Sequence, residues 1–153
     1  MNKTDFCKRT QTILEDLRKD QGMTLEQMAL TIGLSKKTLI QIEKGRSNLK
    51  WAEAVTFVSI FNDHDLVKSL FGDETNEIIQ TIAIQKSPKR QFKTMGGESW
   101  WKTISERDGY RSQHHKISKH LRILDNENYR VYFTYSKSDA IKQFSKYLGE
   151  SNE

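Results

Sequence analysis

Residues 23–45 constrain the fold of this chain most strongly, because they contain two successive helix-start signals around one glycine. Thr24 and Gln27 have the spacing of a capping box, and Ser35 can cap a second helix further on. Gly33 lies between the two signals, where a left-handed backbone would let the chain turn sharply. The pattern predicts two short helices joined by a tight turn.

The second of these helices, predicted at residues 35–44, has an apolar side and a polar side. Leu39 and Ile42 are expected to face a core, while Lys36 and Lys37 lie in the first turn. Cations at that end oppose the helix dipole by about 0.3–1 kcal/mol each. A docked polyanion would reverse this effect, so the two lysines indicate either a nucleic-acid surface or two tolerated, solvated side chains.

The basic residues are unevenly distributed along the chain. Residues 1–84 hold 11 Lys and Arg against 12 Asp and Glu, whereas residues 85–153 hold 14 against 8. Within the first part, residues 33–50 carry five cations against Glu43 alone. Phosphate contacts supply most non-specific affinity for DNA, so this focused patch indicates nucleic-acid binding better than the net charge of +5 does.

Composition argues against several other classes. No apolar run approaches the roughly 20 residues of a membrane span, and the N-terminus lacks the apolar region of a signal peptide. Cys7 is the only cysteine, so no intramolecular disulfide can form. We expect a cytoplasmic protein, associated with a bacterial or phage nucleoid and without a membrane partner.

Helical periodicity continues on both sides of residues 23–45 and predicts a first domain of five to six helices over residues 1–84. The additional helices are expected at residues 5–20, about 49–61, about 65–71 and 74–84. Residues 85–99 contain the only proline, a Gly-Gly pair and four cations. They predict a basic linker that is either solvated or reaches DNA as an arm.

Residues 100–149 predict a small α+β domain. Its expected elements are a short amphipathic helix opening at Trp100 and Trp101, an antiparallel hairpin or three-stranded sheet, and a closing helix. A core of this size is marginal alone, so we expect a dimerisation or sensing role. The candidate dimer or partner surface consists of aromatic residues: Trp100, Trp101, Tyr129, Tyr132 and Phe133.

Residues 13–71 resemble the phage-repressor-like (Xre, or lambda-repressor-like) helix-turn-helix family. The resemblance rests on residues that fall in register together: Leu17-Arg18, Gly22-Met23-Thr24, Met28-Ala29, Ile32-Gly33-Leu34-Ser35 and Ile42-Glu43-Lys44-Gly45-Arg46. It implies a mainly α, lambda-repressor-like DNA-binding domain. It also implies a transcriptional regulator, which we expect to be a homodimeric repressor on a palindromic site in double-stranded DNA.

The resemblance also implies roles for individual residues. The predicted helix at residues 35–44 would lie in the major groove, where Gln suits adenine and Lys suits guanine. Arg18 and Glu43 match positions that often pair, which implies an ion pair that orients the helix. The implied base contacts are Lys36, Lys37, Gln41 and Ile40, although Ile40 is as well suited to packing on a neighbouring helix. The implied phosphate contacts are Thr24, Ser35, Thr38, Lys44, Arg46 and Arg18.

One departure and one fainter resemblance qualify this picture. Leu25 stands where many relatives have Gln, so one polar DNA contact is missing. Residues 100–149 resemble a tail that follows helix-turn-helix domains in bacterial regulators, which implies no activity.

Two alternatives remain open from the sequence. In the first, the chain is an antitoxin or anti-defence protein whose C-terminal domain binds a protein partner, and DNA binding autoregulates its operon. In the second, the basic C-terminal domain itself grips DNA. The cations available for that role are Lys86, Lys89, Arg90, Arg111, Lys116, Lys119, Arg122 and Arg130.

The histidines are interpreted as structural or surface residues. If residues 110–124 form one strand, His114 and His120 share a face and His115 takes the other. No cysteine or close carboxylate completes a zinc set, and no nucleophile arrangement or phosphate-binding glycine loop can be argued. We therefore expect no metal, no cofactor and no enzyme activity.

Overall fold

A computed structural model describes residues 1–87, 93–94 and 99–150. The chain divides into two compact units, Met1–Ile79 and Gln80–Glu153. The sequence-based boundary was residue 84, within the last turn of a helix that crosses this division. Of the predicted linker, residues 88–92 and 95–98 lie outside the described residues, and Lys86–Ser87 form a short strand.

Helices come first along the chain and confirm the predicted mainly helical fold class. Two of them, α2 and α3, fall within residues 23–45 as expected. The six helices are α1 (Lys3–Asp20), α2 (Leu25–Ile32), α3 (Lys36–Glu43), α4 (Trp51–Ile60), α5 (Asp65–Phe71) and α6 (Thr75–Ile84). The core of the first unit is built from their apolar faces, including Phe6, Leu14, Leu17, Met28, Leu39, Ile42, Ala54, Phe57, Val58, Val67 and Phe71.

The helix-start signals form the hydrogen bonds that their spacing predicts. The Gln27 amide donates to Thr24 Oγ1 over 3.1 Å, and the Thr24 amide donates to Gln27 Oε1 over 2.8 Å. Ser35 Oγ accepts from the Thr38 amide over 3.1 Å. Gly33 closes α2 with φ at +80°, a conformation that a side chain would strain. These local bonds set the angle at which α3 leaves α2.

The second unit contains an antiparallel sheet and one helix. The strands are β1 (Lys86–Ser87), β2 (Trp101–Arg107), β3 (Tyr110–His115), β4 (Leu121–Leu124) and β5 (Arg130–Thr134), in the order β1-β5-β4-β3-β2. Helix α7 (Lys137–Tyr147) packs against β3, β4 and β5. This arrangement agrees with the predicted α+β tail, although the sheet is larger than a hairpin or three strands.

One predicted element is wrong in type, because the residues from Trp101 form strand β2 and not a helix. The error arose because Trp101 and Ile104 are three residues apart, which is also the spacing of neighbours on one face of a helix. A β-bulge between Thr103 and Ser105 further interrupts the two-residue alternation of the strand.

One face of the sheet is covered by α7. Ile123 and Tyr132 are buried there against Phe144 and Tyr147. The ring of Tyr147 also stacks on Tyr110 with centroids 5.1 Å apart, which joins the C-terminal end of α7 to the start of β3.

Candidate nucleic-acid interface

Helix α3 is anchored by its apolar side and presents its polar side to solvent. Leu39 and Ile42 are buried in the core of the first unit. Lys36 and Lys37 are exposed, and the predicted base-contacting residues Ile40 and Gln41 are half-buried one turn later. The structure therefore brings the four predicted base contacts onto one helix, with the lysines most accessible.

An ion pair connects α1 to the end of α3. Arg18 Nε donates to Glu43 Oε1 over 2.6 Å, and Arg18 Nη2 donates to Glu43 Oε2 over 3.1 Å. Only 12% of the Arg18 side chain and 8% of the Glu43 side chain is exposed, so solvent screens the pair weakly. The hydrogen bond to Glu43 raises the pKa of Arg18 above its ordinary value.

The same guanidinium also donates from Nη1 to the carbonyl of Met23, over 3.1 Å. All three nitrogens of Arg18 therefore donate within the first unit. This geometry suits the predicted orienting role, and the phosphate contact of Arg18 stays a prediction.

Gln11 holds the other side of the α3 terminus, and sequence reasoning missed it. Its Nε2 donates to the carbonyls of Ile42 and Ser47, over 3.0 and 2.9 Å, and its Oε1 accepts from the Leu49 amide over 3.0 Å. One side chain on α1 thus fixes both ends of the loop after α3. Gln11 is half-buried in α1, and the only sequence signal for its role was a polar amide next to the apolar face of that helix.

The loop after α3 begins with a left-handed glycine. Gly45 has φ at +72°, and its amide donates to the Ile42 carbonyl while the Arg46 amide donates to the Gln41 carbonyl. These two bonds form a Schellman motif. The motif leaves the side chains of Lys44 and Arg46 exposed beside the helix end, where both were predicted to meet phosphates.

The hydroxyl groups predicted to meet phosphates are engaged in capping. Thr24 and Ser35 cap α2 and α3, and the Ser35 hydroxyl also donates to Thr38 Oγ1 over 2.8 Å. Both helices therefore direct ordered N-terminal turns outward, and the amides of such turns bind anions. Phosphate contacts at Thr24, Ser35 and Thr38 stay predictions, and the turns offer backbone amides beside these hydroxyl groups.

A second residue missed from the sequence is Glu26, on α2. Its carboxylate lies 2.5 Å from Lys36 Nζ, in a pair whose side chains are 62% and 50% exposed. The hydrogen bond from Lys36 lowers the pKa of Glu26, so this carboxylate is ionised at neutral pH. One of the predicted base-contacting lysines is therefore paired with an acidic neighbour.

Comparison with known families agrees with this geometry. Residues 14–50 match the family model described as helix-turn-helix. The match spans α2, α3, the loop after α3 and the part of α1 that carries Arg18. It supports a helix-turn-helix DNA-binding domain in the first unit. Comparison with curated proteins gave no match, and comparison with solved structures gave none either.

Beyond the helix-turn-helix domain, the predicted aromatic surface needs correction. Trp101, Tyr132 and Phe133 are 3%, 7% and 0% exposed, so these side chains form internal packing and not a docking surface. Trp100 and Tyr129 are half-buried. The aromatic alternation was correctly interpreted as a strand, but alternation does not reveal that both faces of a sheet are covered.

Trp101 is held by a cluster of buried polar side chains. The guanidinium of Arg122 lies 3.7 Å from the indole centroid, and the rings of His115 and His120 stand perpendicular to the indole with centroid distances of 4.7 and 4.9 Å. His115 and His120 therefore lie together, contrary to the expectation that His114 and His120 share a face. Residues 110–124 form two strands joined by a turn, and a turn brings positions together that a single strand would separate.

The alternative in which the C-terminal domain binds DNA relied on several cations, and two of them are buried. Arg122 and Arg130 are completely buried, and Arg130 Nη2 donates to Gln80 Oε1 over 2.6 Å. Lys86 pairs with Asp139 over 3.2 Å. Lys89 and Arg90 lie outside the described residues. A buried guanidinium cannot reach a phosphate, so this interpretation is weakened.

In the described parts of the chain, no group of three or more His, Cys, Asp and Glu residues is arranged to hold a metal ion. None of the helices in these ranges combines the length and the apolar character that a membrane crossing requires.

Proposed function

We propose that this protein is a sequence-specific transcriptional regulator that reads the major groove of double-stranded DNA with α3. The observation that carries the proposal is the rigid mounting of an exposed basic helix. Arg18 and Gln11 of α1 both bond to the end of α3, while Leu39 and Ile42 anchor the helix in the core. A recognition helix held in this way loses little freedom on binding.

In this proposal the residues divide into two functions. Lys36, Lys37 and Gln41 supply base contacts, with Ile40 as an apolar neighbour that suits a thymine methyl group. Lys44 and Arg46 supply phosphate contacts, together with the amides at the starts of α2 and α3. Base contacts set sequence preference, and phosphate contacts set affinity for any sequence.

We further propose that the protein acts as a homodimeric repressor on a palindromic site. Two copies of α3 would then occupy successive major grooves, with half-site centres roughly 34–36 Å or a multiple apart. The second unit is the proposed dimerisation or sensing module. The buried aromatic residues Trp101, Tyr132 and Phe133 stabilise the second unit internally, so a contact between two copies would use exposed residues of this unit.

Two substitutions test the division of roles. We expect Gln41→Ala to relax preference at one base pair by about 1–3 kcal/mol while leaving affinity for random DNA nearly unchanged. Arg46→Ala should weaken all sequences alike and reduce the salt dependence by about one phosphate contact. The measurement is fluorescence anisotropy on selected and random duplexes over a range of salt concentrations.

Lys142→Ala is the matched control, because it removes an exposed cation from α7 in the second unit. If Gln41→Ala and Arg46→Ala both bind selected and random DNA like the parent, α3 is not the recognition helix and the proposal is wrong.

A further inference from the structure

A second candidate site lies in the second unit, between α7 and the sheet. It is a cleft of about 220 Å³ with apolar walls from Ile104, Leu121, Ala140, Ile141 and Phe144. Three serines, Ser105, Ser112 and Ser145, also line it. Ile104 and Ser105 in the lining lie at the register shift of β2, between Thr103 and Ser105.

The walls of the cleft reach solvent. Ile104 and Ile141 are 48% and 59% exposed, although both are large apolar residues. Covering them would remove apolar surface from water at roughly 25 cal/mol per Å². The cleft is smaller than the roughly 300–1,000 Å³ of drug-sized sites, so the occupant must be small.

One end of the cleft is cationic. Lys137 is the single charged residue among the described residues that line it. Leu121, in the cleft wall, pairs across the sheet with His114, and His114 pairs on its other side with Lys102. Burial, together with the nearby Lys119, Lys102 and Lys137, lowers the pKa of His114. Lys137 is therefore the cation that the cleft itself offers, and Lys102 and Lys119 add positive charge near the half-buried His114.

We propose that this cleft binds a small amphiphilic monocarboxylate, with its apolar body between Ile104 and Ile141 and its carboxylate at Lys137. The apolar walls select a hydrocarbon body, and the cationic end selects an anionic head group. A single lysine in the lining suits a single negative charge, and the limited volume suits a free acid of short to medium chain length.

Octanoate is a suitable probe, and the full-length chain is titrated without DNA. We expect saturable binding by isothermal titration calorimetry, and amide chemical-shift changes confined to β2, β3, the start of β4 and α7. Octanol and octylamine should bind at least about tenfold more weakly, because neither presents an anion to the lysines.

Two variants and one control locate the site. Lys137→Gln should weaken octanoate binding about three- to tenfold, and Ile141→Ser should weaken it by a similar factor through the lost apolar wall. Both positions are exposed, so the fold is expected to survive. Lys142→Gln, an exposed neighbour on α7 outside the cleft lining, should bind like the parent.

Several outcomes would overturn the proposal. They are the absence of saturable octanoate binding, equal binding of octanol, or equal losses in Lys137→Gln and Lys142→Gln. Loss of self-association in Ile141→Ser, with no response to octanoate, would instead identify the cleft as a contact between copies. Because no DNA is present, these results do not depend on whether α3 reads the major groove.

Discussion

At the scale of single residues, the recognition surface contains an acidic competitor. Glu26 holds Lys36 in the free protein, and a DNA phosphate or guanine would have to replace that carboxylate. The pKa of Glu26 is lowered by this pairing, so the competition exists at neutral pH and disappears only as the pH falls through the lowered pKa. We therefore expect Glu26 to limit the affinity for DNA in a way that a count of basic residues would miss.

The first prediction follows from this pairing. Glu26→Gln should strengthen DNA binding about two- to fivefold at low salt, because it releases Lys36 and removes a repulsive charge. The dependence of the binding constant on salt should become steeper by about one released counterion. Anisotropy titrations at several salt concentrations measure both quantities.

Asp63→Asn is the control for Glu26→Gln, since it removes an exposed carboxylate outside α2 and α3 in the same unit. It should change affinity by less than Glu26→Gln does. Equal gains from the two variants would mean that overall charge is responsible and that the Lys36–Glu26 pair has no specific effect.

At the scale of secondary-structure elements, the stability and orientation of α3 depend on its contacts with α1 more than on its own sequence. A helix of eight residues is too short to be stable alone, so tertiary contacts must hold it. Gln11 contributes three hydrogen bonds to the end of α3 and its following loop. The helix proposed to read DNA is therefore oriented by a residue far away along the chain.

A second prediction concerns the Gln11 clamp, which is the set of three hydrogen bonds that Gln11 makes with the end of α3 and its following loop. Gln11→Ala should lower the free energy of unfolding by about 1–3 kcal/mol, because partly buried backbone groups lose their partners. It should also weaken DNA binding, since the loop carrying Arg46 is less ordered. Urea denaturation gives the stability, and anisotropy below the unfolding transition gives the affinity.

Gln21→Ala provides the comparison, because it removes an exposed glutamine side chain at the end of the same helix. Its effect on stability should stay within about 0.5 kcal/mol. If Gln11→Ala is destabilised but the folded protein binds DNA normally, the clamp supports the fold without positioning the loop.

At the scale of the whole molecule, the proposed repressor must place two recognition helices on one DNA duplex. Sedimentation of the full-length chain should give a dimer at micromolar concentration. A selected site should lose affinity when its half-sites are moved apart by about half a helical turn, or roughly 5 base pairs, because the two copies then face opposite sides of the duplex.

A monomer that binds a single half-site with undiminished affinity would contradict the dimer proposal. Co-purification of this chain with a different protein in a stable complex would favour the antitoxin or anti-defence interpretation. Sedimentation of the material purified from its natural host distinguishes these outcomes directly.

The sequence by itself determined the helices of the first unit and the turn between α2 and α3. Capping boxes, apolar periodicity and a left-handed glycine act between residues three to five apart, so their spacing is visible in the chain. Thr24, Ser35 and Gly33 formed the expected local structure for this reason. The exposed positions of Lys36 and Lys37 followed from the same periodicity.

Only the tertiary structure decided which distant residues meet. Gln11 reaches the loop after α3, Glu26 reaches Lys36, and Arg122 covers Trp101, although no local pattern connects these pairs. In the second unit, a bulge between Thr103 and Ser105 interrupts the alternation of side chains along β2. Long-range contacts depend on how whole elements pack, and a single extra residue can change which side chains face each other.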